Sequence, residues 1–505
     1  MANPNTLPVP TATSDNESVT PGPHENTCSK FPRPRSRFRM TDAGSAELFA
    51  ALFADRVRYN HALGCWLIWQ KDWWAADESD EIVRLVKKAA RMRTMARTDF
   101  SDGQSQEKFK KWLPQSEGLY RINAVLRLSK SDPALRDNGK GWNADPMLLG
   151  VQNGVIDLRT GKLRPGNQAD RITLHTDVCF DPEARCPRWE QFMSEIFGGD
   201  SKLMAYIHKA VGYSLTGSTK EQVIFLCWGT GANGKSTFLD VTRHVLGDSG
   251  YAYNLPFSAF EIKARSVINN DIAPLQHKRF VTALETNDQV ELNEARIKAL
   301  TGCDPITARF LYHENFTFTP VAKFWLAFNH KPTVRDDSHG FWRRVRLIPF
   351  TQEFSGENRD ENLVDTLKAE APGILNWAIE GCLKWQAEGL KVPEVIAVAS
   401  EAYREESDPL KEFLEDCCEP IAGASVSVGN LRHAYTKWCE STGNQPLDPR
   451  PLNVKMEARG FVRGRSKDRD RTRIWVGLKL KPSSVASESP ELGTTSDRSE
   501  VLFIN

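Results

Sequence analysis

Lys235 and Ser236 are the residues whose types and spacing point most directly to chemistry. They end the run Gly229, Thr230, Gly231, Ala232, Asn233, Gly234, Lys235, Ser236, Thr237, which fits G-x-x-x-x-G-K-[ST] at every fixed position. Glycines let such a loop curl so that backbone N–H groups face phosphate oxygens. The lysine would pair with the β/γ-phosphates, and the serine hydroxyl would reach Mg²⁺. The motif needs a strand before it and a helix after it. Residues 223–228 form an apolar run, and Phe238, Leu239, Val241 and Val245 share roughly one helical face. The helix N-terminus adds partial positive charge. The chain therefore reads as a nucleoside triphosphate binder with ATP and Mg²⁺ as cofactors, held by residues 229–237.

Hydrolysis further requires an acidic group on a neighbouring strand to hold Mg²⁺ and polarise water. KRFVTALETND supplies Glu285 at the end of an apolar run, with Asn287 and Asp288 just beyond. KFWLAFNHKP sets Asn329 off the end of another very apolar strand, where it could sense the γ-phosphate or simply start a turn. FWRRVRLIPF places Arg343, Arg344 and Arg346 against an apolar strand. Arginines beside buried residues are costly unless they meet anions. A finger reaching a neighbouring subunit's ATP and a structural salt bridge explain them equally well.

The rest of the chain must position these groups. At 505 residues it suggests about three domains. Its 40% hydrophobic and 26% charged content suits a globular protein with a real core. The formal net charge is +1, so a nucleic-acid surface must come from local clustering. No apolar run approaches the ~20 residues of a membrane span, and the polar start has no signal-peptide form. A cytoplasmic setting, in a bacterial host or a virus-infected cell, is expected. The scattered cysteines read as free thiols, and the Cys417-Cys418 pair as helix interior.

Residues 1–38 and 482–505 read as disordered tails. Residues 39–190 alternate helical spacing with an aromatic hairpin, CWLIWQKDWW, and a second hairpin turning at Asn153-Gly154. They are expected to form a mainly α-helical N-terminal domain. Residues 191–371 carry several strands linked by helices around the loop, which predicts a three-layer α/β ATPase. Residues 372–407 read as a helical linker. Residues 408–481 then read as three helices and a two-stranded wing. PLKEFLEDCCE is taken as a single helix. Residues 450–481 hold eleven Lys/Arg against three Asp/Glu, a density that favours phosphate contacts over a merely solvated face. Arg463, Arg465, Lys467, Arg469 and Arg471 are the candidates.

The order GxxxxGKS, LETND, LNEARIKALTGCDPITARFLY, FNHKP, WRRVRLIPF resembles the superfamily 3 helicases. More narrowly it is similar to the helicase part of the phage and plasmid primase-helicases, the group that includes the poxvirus primase-helicase. DPMLLGVQNGVIDLRTGKL and GYSLTGSTKEQ look like the domain preceding the ATPase there, and residues 408–481 like that family's C-terminal winged helix. The resemblance implies an AAA+-like P-loop core and a homo-hexameric ring hydrolysing ATP at subunit interfaces. It further implies 3′-to-5′ movement on single-stranded DNA, with a separate primase or host replication proteins as partners. It assigns Lys235 and Ser236 to phosphate and Mg²⁺, Glu285 to the acidic metal position and Asn329 to the sensor. Arg344 is assigned as the arginine finger, with Arg343 as its alternate. Lys298, Tyr312 and His313 fall in or near a DNA-gripping hairpin. Where two adjacent carboxylates are usual, this chain has Glu285-Thr286, so Asp288 or no residue takes the second acidic role. The sole D-x-D, Asp468-Arg469-Asp470, lies in a basic loop, so no primase domain is expected. The reading is an ATP-dependent DNA helicase of a phage, prophage or plasmid-like element. The alternative is an ATP-regulated initiator or repressor with little unwinding.

Overall fold

The computed structural model describes residues 38–93, 102–262, 270–285, 290–310, 314–336, 338–355, 360–443, 446–466 and 471–482. The chain divides into two compact units. One runs to Ala144 and includes Pro165–Thr173; the other comprises Asp145–Arg164 and everything from Leu174 onward.

In the first unit, α1 (Asp42–Phe53), α2 (Glu81–Met92), α3 (Gly103–Ser116) and α4 (Leu119–Ser129) accompany four short strands. These are β1 (Val57–Asn60), β2 (Cys65–Trp69), β3 (Trp74–Ala76) and β4 (Arg136–Asp137), arranged in the order β3-β2-β1-β4. Thr41 caps α1 by accepting from the Gly44 amide at 3.1 Å. Phe49, Val57, Ile68 and Leu85 meet in its core. The aromatic hairpin is present as β2 and β3, with Trp69 opposite Trp74. Helices hold 49 residues of this unit and strands 14, so its regular structure is mostly helical, with a four-stranded sheet beside it. A strand of two residues such as β4 is too short for alternation to register in the sequence, so the sheet goes unseen there.

The second unit opens with β5 (Leu148–Val151), β6 (Gly154–Asp157) and β7 (Lys162–Arg164), an antiparallel sheet. Next come α5 (Pro187–Ile196), α6 (Ser201–Ser214), β8 (Ile224–Trp228), α7 (Lys235–Leu246), β9 (Ala252–Asn254) and β10 (Phe280–Leu284). They are followed by α8 (Glu294–Thr301), β11 (Ile306–Ala308), β12 (Phe316–Phe318), β13 (Lys323–Phe328), α9 (His339–Trp342) and β14 (Val345–Pro349). Strands β14-β8-β13-β10-β9 form one five-stranded parallel sheet. A parallel sheet covered on both faces is built from nearly continuous apolar strands, and alternate residues here serve opposite layers. Phe225, Cys227, Trp325 and Ala327 join the core under α5, α6, α7 and α11 (Ala371–Glu388). Ile224, Leu226, Phe324 and Leu326 join the core on the other face. Both faces are buried, as a three-layer arrangement requires.

Helices α6 and α11 touch backbone to backbone. A Cβ on Gly212 would overlap the backbone of Gly381 and Cys382, and one on Gly381 would overlap the His208 carbonyl. Below the sheet, at the N-terminal ends of its strands, two buried cations rest on carbonyls. Arg279 donates to Leu215 O and Leu148 O, both at 2.8 Å. Lys323 donates to Thr216 O, to Ser218 O at 3.3 Å and to Val321 O at 2.9 Å. Burial pushes both below their ordinary pKa values.

After α10 (Leu363–Ala369) and α11 come α12 (Glu394–Glu406), α13 (Pro409–Cys417), β15 (Cys418–Ser427), α14 (Val428–Thr442), α15 (Pro449–Ala458), β16 (Val462–Arg465) and β17 (Arg473–Leu480). The expected two-stranded pair is present as β16 and β17, and β15 joins it as an unexpected third strand, in the order β15-β17-β16. Cys418 does not continue a helix: it pairs with Leu480 in β15, because Pro420 cannot extend the turn behind it. We expect Gly212→Ala to destabilise the protein by ~1–3 kcal/mol through overpacking at the α6–α11 crossing. Thermal unfolding beside an exposed control, Gly103→Ala, where an added Cβ meets nothing within 4 Å, checks this; an unchanged Tm would disprove the tight crossing.

Candidate nucleotide-binding site

Strand β8 ends at Trp228, and residues 229–234 turn back so that α7 begins at Lys235. Gly231, Ala232 and Gly234 carry φ values of 119°, 46° and 80°. Alanine pays a small steric cost there, of order ~1 kcal/mol, and its carbonyl is fixed by the Phe354 amide at 2.7 Å. A Cβ on Gly229 would overlap Asn233 and the Phe350 carbonyl, and one on Gly234 would overlap Ile196 of α5. The loop has little room for anything but glycine at these two points.

Lys235 is 5% exposed. Its ammonium donates to Gly229 O at 2.7 Å, Asn233 Oδ1 at 2.9 Å and Asn329 Oδ1 at 3.1 Å. All three acceptors are uncharged, so the cation's hydrogen bonds are satisfied while its charge is not. Burial lowers its pKa accordingly. No side chain caps the start of α7, which leaves first-turn amides facing the same opening. A cleft of about 720 Å³ lies above them, lined by residues 231–237 and Asn329. An uncompensated ammonium, open amides and the Ser236 hydroxyl are the donor set that a triphosphate with Mg²⁺ requires. The residues fit that group.

Register explains why the distant candidates converge. Phe328 lies opposite Trp228, so Asn329 emerges beside Gly229. Leu284 lies opposite Ala327, and the Glu285 amide donates to Ala327 O at 2.9 Å. Glu285 Oε2 in turn accepts from the Asn329 amide at 3.3 Å. Glu285, Asn329 and Lys235 thus form one connected edge. Asp288 lies outside the described residues.

Three lining residues had no signal in the sequence. Arg188 on α5 pairs with Glu195 at 3.2 Å and with Asp360 at 4.0 Å, and all three border the cleft. They are brought in from either side by packing, and no local motif marks them.

The arginines lie elsewhere. Val345 is opposite Ile224, at the start of β8, so Arg343 and Arg344 sit at the edge opposite the loop. Five strand residues separate the edges, roughly 17 Å at ~3.3 Å each. Arg344 is 9% exposed and is held within its own chain, donating to Thr301 Oγ1 at 3.2 Å and to Gly340 O. Burial, reinforced by the Arg343 charge, lowers its pKa. Arg343 is exposed and donates to Gln222 Oε1 at 2.8 Å.

The candidate DNA contacts are dispersed. Lys298 pairs with Asp336 at 2.7 Å. Burial alone would raise the Asp336 carboxyl, but hydrogen bonds from Lys298 and Ser338 hold it below its usual value. Strands β11 and β12 make an antiparallel hairpin, with Ile306 opposite Phe318; Tyr312 and His313 lie outside the described residues. So do Lys467 and Arg469. Arg463 pairs with Glu457 at 3.0 Å and stands 5.1 Å from the Trp475 ring. Arg465 and Arg471 are exposed. Arg465 directly faces Arg473 across the β16–β17 pair, and like charges so placed repel. Arg473, not singled out in the sequence, therefore belongs with the basic candidates.

Family models match two parts of the chain: a D5 N-terminal-like model over residues 46–198, and DUF5906, a family of unknown function, over residues 227–344. The chain is 26% identical over 324 residues to "Putative helicase L207/L206" of Acanthamoeba polyphaga mimivirus, covering 59% of this chain and 34% of that one. It is 25% identical over 333 residues to "Putative primase C962R" of African swine fever virus, covering 60% and 34%. It thus spans about a third of the length of these relatives. Among solved structures it is similar to the NrS-1 C-terminal region, with a TM-score of 0.49 at 9% identity over 86% of this chain and 99% of that one. No described helix is long and apolar enough to cross a membrane.

Replacing Arg344 by alanine leaves Thr301 Oγ1 and Gly340 O without a donor in a buried place, at a cost of ~1–3 kcal/mol. Arg343→Ala should stay within ~0.5 kcal/mol of the parent. Chemical denaturation of both variants checks the contrast.

Proposed function

Because the chain is a primase-helicase-like family member, we propose that it is the ATP-driven DNA helicase motor of a phage, prophage or plasmid-like replicating element. The observation that carries the ATPase reading is Lys235: a buried ammonium whose three hydrogen-bond acceptors are all neutral, at the mouth of an uncapped helix. In this reading Lys235 exchanges side-chain amide oxygens for the β/γ-phosphate oxygens. Ser236 and Glu285 would hold Mg²⁺, which would neutralise phosphate charge when bound. Asn329, released from Lys235, orients the attacking water, while Glu285 polarises it.

The placement of the arginines supports a ring: Arg343 stands a strand's length from its own chain's loop, so a nucleotide that it reached would belong to another copy. Its exposure favours Arg343 over Arg344 as the finger. The opposed Arg465 and Arg473 favour a polyanion beside β16 and β17, which supports a winged-helix role in DNA binding. Translocation on single-stranded DNA in the 3′-to-5′ direction completes the proposal.

ATP hydrolysis measured with and without single-stranded DNA tests the motor. Lys235→Ala should abolish nucleotide binding and turnover, and DNA-stimulated turnover surviving in that variant would sink the site assignment. Arg343→Ala should retain ATP binding and lose turnover by something like ~10³-fold. Mixing the two inactive variants should restore part of the activity at shared interfaces. Hydrolysis indifferent to DNA would instead favour an ATP-controlled initiator.

A further inference from the structure

The first unit carries a cationic cleft that the ATPase does not use. Parallel pairing of β1 with β4 sets Tyr59 beside Arg136 and Asn60 beside Asp137. The residues that follow, His61 and Asn138, leave the sheet at the same edge. There a cleft of about 560 Å³ is lined by His61, Arg136, Asp137, Asn138 and Arg171.

The lone carboxylate of this lining is already committed. Asp137 is 8% exposed; its Oδ1 accepts from the Gly139 amide at 2.7 Å and from Trp142 Nε1 at 2.9 Å. Its Oδ2 meets Arg171 at 2.7 Å. Arg171 is further held by Lys140 O at 2.7 Å and lies 4.3 Å from the Trp142 ring, so its guanidinium is fixed in place. Arg136 is exposed and, among the described residues, forms no ion pair. His61 is exposed, with Nε2 at 3.0 Å from Lys130 O. The cleft thus offers one arginine without a counter-charge, Arg136, beside Arg171, whose charge is shared with Asp137, and His61; this net positive lining suits a phosphate.

The loop amides decide which kind of phosphate. Small free anions are enclosed by converging backbone N–H groups. Here the Gly139 amide is taken by Asp137 and the Lys140 amide by Asn138 at 3.0 Å. What remains is an open, side-chain-lined groove, with Leu63 exposed on the turn after His61. Such a groove suits a phosphodiester whose neighbouring sugars and bases rest outside it. We infer that this cleft is a separate binding site for single-stranded nucleic acid, holding a backbone phosphate between Arg136, Arg171 and His61.

The test uses the full chain and a fluorescent oligothymidylate, with anisotropy measured across a salt series. Arg136→Ala and the double variant His61→Ala/Arg136→Ala should weaken binding by roughly 3- to 10-fold at low salt. The slope of log K against log salt should shrink by about 0.7 for each phosphate that the variant no longer neutralises. Arg136→Lys should keep most of the affinity, and binding of a fluorescent ATP analogue should be unchanged throughout. The same weakening of oligonucleotide binding should appear in a Lys235→Ala background, which separates this inference from the nucleotide site. Unchanged affinity and slope in the double variant would overturn it. Abolished inorganic phosphate binding in Arg136→Ala, read by calorimetry with oligonucleotide binding intact, would overturn it equally, in favour of a free-phosphate site.

Discussion

Parallel alignment of β8, β10, β13 and β14 is the constraint on which the second unit depends. When neighbouring strands run the same way in register, all their C-terminal ends arrive at one edge and all their N-terminal ends at the other. Gly229, Glu285 and Asn329 are far apart in sequence, yet each is the first residue past the end of its strand. No loop has to carry them together. The same alignment sends Arg343 and Arg344, the residues before β14, to the far edge with Arg279 and Lys323. Ligands of open α/β sheets gather at carboxyl ends where strand order reverses, and β8 lies at that point, between β14 and β13.

Much of this edge is legible in the sequence. A phosphate loop is a local pattern, and strands buried on both faces show as unbroken apolar runs such as FWLAF. Illegible features are those set by tertiary packing. The runs containing β1 and β4 give no sign that they pair. Arg188 and Asp360 reach the cleft from segments on either side of the loop in sequence, and neither stands in a motif. The choice between Arg343 and Arg344 turns on burial, to which two adjacent identical residues give no clue. Cys418 misleads because helical spacing before it is clear, whereas the pairing with Leu480 that pulls it into a strand depends on residues some sixty positions away.

Several cationic groups here are arranged at a cost to the isolated chain. Lys235 is buried against neutral oxygens, and Arg465 faces Arg473. Such conflicts are typical of sites that await a partner, since natural sequences otherwise make local choices agree with the fold. By contrast, Lys298 with Asp336 and Arg344 with Thr301 are internally resolved. Burial and pairing thus separate the positive residues left without a counter-charge from those that hold the frame.

Arg279 and Lys323 belong to the frame, and their carbonyl partners have a consequence for how the protein comes apart. Leu148 lies in the antiparallel sheet that opens the unit, and Leu215, Thr216 and Ser218 lie between α6 and β8. Each cation has been stripped of water and resolvated by backbone from outside the parallel sheet. If either segment peeled away, these side chains would lose their buried acceptors, so release of one segment weakens the hold on the others. The underside of the sheet should open only as a cooperative block. Its weakest points to proteolysis and hydrogen exchange would then lie elsewhere.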